Sequence, residues 1–128
     1  MSGAKKRVNS RRKGKTGELE LARRLGELGF PAKRGQQFKG GQDSPDVVCE
    51  GLSNIHWEVK RYADCKMFSA ATLREWDRQA MEDAGPKLPV IAHRWNGQST
   101  WWVRVLKTFS RPYWQTLEDF LADEAVKP

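Results

Sequence analysis

The 128-residue sequence predicts a single α/β domain built on a mixed central β-sheet flanked by helices. Three observations predict it. Residues 17–28 and 69–84 carry apolar side chains at helical spacing, runs of apolar alternation lie between and after them, and turn residues, above all Asn96 and Gly97, punctuate those runs. With 38% hydrophobic residues the chain can bury one core.

The first fifteen residues stand apart. Lys5, Lys6, Arg7, Arg11, Arg12, Lys13 and Lys15 occur there with no acid, and the remaining chain balances 16 basic against 16 acidic residues, so the whole formal charge of +7 belongs to this segment. Without aromatic residues it has little to bury, and 1–15 is expected to be a flexible basic arm preceding a domain at 16–128. A polyanion is its expected partner, with a merely solubilising tail as the alternative.

From Gly17 the spacing of Leu21, Ala22, Leu25 and Leu28 predicts a helix that Gly29 ends. Glu20, Arg23, Arg24 and Glu27 take its wet face, whereas Glu18 heads the apolar stripe and points toward the core. A helix-start glutamate favoured by the macrodipole is the simpler account of Glu18. A short strand follows at 32–34, then a Gly- and Gln-rich loop to Pro45. "DVVCE" and "NIHWEVKRY" predict a strand hairpin turning at 51–53, with Glu58 and Lys60 on one face of the second strand and Trp57 and Val59 on the other. Residues 69–84 predict a second helix, "TLRE" at 72–75 having capping-box form. "PVIAHRW" and "STWWVRVL" predict a second hairpin, and Thr116 introduces a short helix carrying Leu117, Phe120 and Leu121. Adjacent Trp101 and Trp102 should point to opposite faces of their strand, leaving aromatic surface for a partner subunit or for the C-terminal segment to cover.

No apolar run is long enough to cross a bilayer and no secretory signal follows the basic start, so a cytoplasmic protein is expected. Cys49 and Cys65 form no CxxC pair and, with His56 and His93, no zinc-ligand spacing.

Pairing of the first two long strands brings Asp46, Glu58 and Lys60 together at a sheet edge. Two carboxylates suit Mg²⁺, which prefers oxygen ligands and retains several waters, and an adjacent lysine can orient water or stabilise charge on an attacked phosphate. That chemistry is phosphodiester hydrolysis. A cross-strand ion pair on a solvated face fits the same three residues.

"PDVV", eleven further residues and "EVK" resemble the PD-(D/E)XK motif of the restriction-endonuclease-like nuclease superfamily. "GKTGELELARRLGELGF" together with "PDVV" and "WEVKR" is most similar to archaeal-type Holliday junction resolvases and their phage-encoded relatives, over residues 14 to about 106. The resemblance implies Mg²⁺, with Mn²⁺ as a substitute, bound by Asp46 and Glu58 with Glu18 as a supporting acid at the metal. It implies Lys60 as the catalytic lysine and Gln79 as a supporting polar residue, which an exposed helix glutamine explains equally well. Asp43 is a rival to Asp46, but Asp46 follows Pro45 and leads into the strand. The implied substrate is a four-way DNA junction, cut by a homodimer. The arm, with Arg34, Lys39 and Arg61, would contact DNA. A nuclease for ends, flaps or foreign duplex, or a non-catalytic DNA-binding module, are the other readings.

Overall fold

In a computed structural model, residues 2–35 and 45–123 are described, with side chains from Gly14 onward. Helix α1 runs Ser2–Glu27 and buries Leu21, Ala22 and Leu25. The helical backbone therefore extends back over the segment read as an arm. Lys, Arg and Ala are good helix formers and no proline precedes Pro31, so propensity continues the helix across the change in composition at Thr16. Gly29, at φ +94°, ends it in a conformation that costs other residues a Cβ clash, and Phe30 N donates back to Leu25 O at 2.8 Å.

Strands β1 (Ala32–Arg34) and β2 (Val47–Cys49) pair antiparallel, and a short 3₁₀ turn at Glu50–Leu52 leads into β3 (Ile55–Tyr62), antiparallel to β2. Helix α2 (Ala70–Ala84) crosses over, so β4 (Leu88–Trp95) runs parallel to β3 along its full length. Strand β5 (Trp102–Val105) pairs antiparallel with β4 after the turn at Asn96 and Gly97, and β6 (Tyr113–Thr116) with β5. The sheet order follows the chain, β1-β2-β3-β4-β5-β6, with one parallel pair, and α3 (Leu117–Ala122) closes the fold.

Two local expectations change. The cap of α2 is Ser69, not Thr72: Ser69 has extended backbone, and its Oγ bonds Thr72 Oγ1 at 2.9 Å, so "TLRE" already lies inside the helix. Strand β6 has no counterpart in the sequence reading, because all four of its residues are half-buried and give no alternation to read. Thr116 does cap α3, accepting from Asp119 N at 3.2 Å.

The sheet divides the interior. Trp57, Val47, Val90, Ala92, Val103 and Val105 face α1 and α3 in the main apolar core, where Trp57 meets the Phe120 ring edge-on at 5.6 Å. Beneath α2 a smaller cluster of Trp76, Ala80, Ile91 and Leu106 shares space with polar groups. Arg104 clamps Asp77 of α2 through two hydrogen bonds of 2.8 and 3.0 Å. None of the six tryptophans is exposed. Trp101 enters the main core, and Trp102 lies half-buried on β5, whose neighbour on that side is β6. Both cysteines are free thiols, and burial raises the pKa of Cys49. Among the described residues no helix is long and apolar enough to cross a membrane.

Candidate active site

The register decides where the chemistry lies. Val47 pairs with Trp57, which sets Asp46 level with Glu58, and Asp46 N donates to Trp57 O at 2.9 Å. Beyond that pair β2 leaves β3, and among the described residues no strand continues along that edge of β3. There Asp46 Oδ2 accepts from Val59 N at 2.8 Å. The Asp46 backbone is fixed as well, because Gly35 N donates to Asp46 O at 2.9 Å. A Cβ on Gly35 would sit 1.9 Å from Pro45 O, so only glycine permits this approach.

Burial pushes the Asp46 carboxyl up to about 7; Glu58 and, more weakly, Glu18 push the same way, while the Val59 amide and Lys60 oppose them. Four groups from α1 and β3 thus act on one carboxylate. The three side chains among them, Glu18, Glu58 and Lys60, each have a further partner. Glu18 accepts from Arg34 Nε at 2.8 Å, which accounts for an inward-facing acid on α1. Lys60 Nζ donates to Gln79 Oε1 at 3.0 Å and lies 5.8 Å over the Trp76 ring, so Gln79 of α2 is joined to the candidate lysine. Glu58, 5% exposed, meets His56 Nε2 at 2.8 Å. Burial and Glu58, through its charge and a hydrogen bond, raise the pKa of Asp83 one turn beyond Gln79.

Sequence reasoning did not single out His56, Asp83 or His93. The signal for His56 was present, since it sits two residues before Glu58 and shares its face. His93 is fully buried and clamps β3 to the following turn: its Nε2 accepts from Lys66 N at 3.0 Å, so Nδ1 carries the proton and donates to Lys60 O at 2.7 Å. Burial lowers the His93 pKa, in keeping with a neutral ring packed among Tyr62, Trp76, Trp95 and Trp114.

Of the candidate DNA contacts, Lys15 is exposed. Arg34 is engaged by Glu18, and Arg61 is held by Glu20, Tyr62 O and Asn96. Glu20 therefore leaves the wet face expected for it and bridges Arg61 and Arg94 at 3.2 and 3.3 Å. Helix and strand touch here, since a Cβ on Gly17 would stand 2.5 Å from Arg61 Cβ. Lys39 and Asp43 lie outside the described residues, as do the side chains of Lys5, Lys6, Arg7, Arg11, Arg12 and Lys13. An open groove of about 430 Å³ runs past this region, lined by Val59, Lys60, Arg61, Tyr62, Asp64 and Lys66 among others.

Among the described residues no three His, Cys, Asp or Glu side chains are arranged to hold a metal ion. Asp46 and Glu58 offer a two-carboxylate set of hard oxygen donors, which Mg²⁺ accepts when water and a substrate phosphate complete its octahedron. Desolvation first, then the neighbouring Glu58 and Glu18 carboxylates, raises the Asp46 pKa, and a divalent cation bound there would favour its charged form. No protein-family model, curated protein or solved structure matches the chain.

Proposed function

We propose that the protein is a Mg²⁺-dependent endonuclease with a restriction-endonuclease-like domain, hydrolysing phosphodiester bonds of branched DNA and resolving four-way junctions as a cytoplasmic homodimer. One observation carries this reading: a partly buried aspartate at the point where β2 and β3 part, raised to about 7 by desolvation with Glu58 and Glu18 adding to it, with a lysine on the same strand as Glu58. A carboxylate whose pKa is raised by burial and by neighbouring acids is a pattern common where chemistry is done. Asp46 and Glu58 would hold the cation, which when bound supplies Lewis-acid stabilisation of a phosphate oxygen. Lys60, steadied by Gln79, is placed to orient the attacking water or to meet charge developing on the phosphate. Glu18 and Arg34 tie α1 to β1 beside the site. Symmetric cleavage of a four-way junction requires two such sites, hence the homodimer.

A catalytically silent DNA-binding domain is the second reading. The observation in its favour is that Glu18, Glu58 and Lys60 each have an intramolecular partner. Cleavage of an end-labelled four-way junction beside a matched linear duplex, in Mg²⁺ and in EDTA, separates the two. The enzyme reading expects Mg²⁺-dependent junction cleavage that falls at least about 10³-fold in Asp46→Asn and in Glu58→Gln with binding retained. Binding without cleavage by the parent protein would establish the silent domain.

A further inference from the structure

Among the described residues, the side chain of Phe68 is 91% exposed. An exposed phenyl ring forgoes roughly 1.5–3 kcal/mol of burial, and single exposed apolar residues need no special explanation; what distinguishes Phe68 is its mounting. The turn that carries it is fixed at three points by hydrogen bonds from Asn96 N to Ala63 O at 3.2 Å, from Lys66 N to His93 Nε2 at 3.0 Å and from Ser69 N to Lys66 O at 3.2 Å. The same imidazole holds Lys60 O on its other nitrogen, so this turn and the candidate catalytic lysine are joined through one buried ring. Lys66 lines the groove with Lys60, two residues from Phe68.

From this we infer that Phe68 is a stacking contact for an exposed nucleobase face of branched DNA lying along the groove of Lys60 and Lys66. The inference rests on the nuclease reading and names how that site would distinguish a branch from continuous duplex. A π-face accepts any base, whereas in unbroken duplex those faces are covered by neighbouring pairs and are opened only at a branch or in a single strand. A protein partner fits the surroundings less well. Asp64, Lys66, Arg74 and Glu75 lie near Phe68 in the chain, and the cores of protein interfaces are depleted of charge. The lysines suit phosphates on either side of a stacked base.

Fluorescence anisotropy with a labelled four-way junction, the matched linear duplex and a single strand, without divalent cation, tests the inference. Phe68→Ala should weaken junction and single-strand binding by about five- to a hundredfold and leave duplex binding unchanged, with Phe68→Trp restoring affinity. Because the ring is exposed, thermal midpoints should match those of the parent. Phe109, fully exposed on the 106–112 segment at the opposite end of β3 and β4, is the internal control, and Phe109→Ala should change none of the three affinities. Unchanged junction affinity in Phe68→Ala, or equal losses for junction and duplex, overturns the stacking role. Cleavage of the junction by the parent protein and its loss in Asp46→Asn test the nuclease reading separately. A parent protein that binds none of the three DNAs overturns both.

Discussion

The two faces of strand β3 form a comparison within eight residues. Ile55 and Trp57 enter the apolar core under α1 and α3 with Val59 packed against it, while His56, Glu58 and Lys60 point to the α2 side and make polar contacts. One face is closed by burial of apolar area, the other by paired hydrogen bonds and charges over aromatic rings. Apolar packing has no directional requirement and tolerates no unpaired charge, and the strand's own carboxylate, Glu58, sits on the opposite side of the same backbone. The strand's period of two lets one segment serve stability and chemistry together.

The sharpest way to break this division is to injure the apolar face alone. Trp57→Ala removes a fully buried ring and its edge contact with Phe120, and should cost about 3–5 kcal/mol in denaturant unfolding. Loss of cleavage should then track the unfolded fraction. On the opposite face, His56→Ala deprives the buried Glu58 carboxylate of its 2.8 Å partner and should cost roughly 1–3 kcal/mol. His56→Gln, which keeps a donor, should recover part of that. If His56→Ala instead costs as much as Trp57→Ala, the α2 side is as much a structural core as the α1 side.

A third variant should move stability in the other direction. Asp46 has a folded-state pKa of about 7, above its ordinary value of 3.8, so the folded protein binds more protons than the unfolded chain between those values. Stability contributed by protonated Asp46 is fully present below about pH 4 and is lost as pH rises through about 7. Asp46→Asn, neutral at every pH, should therefore raise the thermal midpoint in metal-free buffer at pH 8 by roughly 3–8 °C and bring little change at pH 4. Equal midpoints at pH 8 would show that the charge cluster is already compensated. The smallest effect concerns the basic segment. Deleting residues 2–13 should weaken DNA binding and flatten its salt dependence by about 0.9 in log–log slope per lost phosphate contact, without changing cleavage at saturating substrate. An unchanged slope would remove this segment from the DNA surface.

Local pattern carried much of this into the sequence. The alternation of "NIHWEVKRY" placed Glu58 and Lys60 opposite Trp57, the spacing of Leu21 and Leu25 defined the buried stripe of α1, and Asn96 with Gly97 joined β4 to β5, as the structure has them. These features depend on neighbours within one or two turns of chain, where backbone geometry alone decides which side chains share a face. The partners of those side chains were not legible. Glu18 meets Arg34 across 16 residues, Lys60 meets Gln79 across 19, and Glu20 reaches Arg94 across 74. The clamp of His93 on Lys60 and Lys66, the bond of Asp46 to the Val59 amide and the pairing of β5 with an unforeseen strand arise only when the sheet is assembled. A carboxylate's partner and its pKa depend on distance and burial in three dimensions, and periodicity along the chain encodes neither.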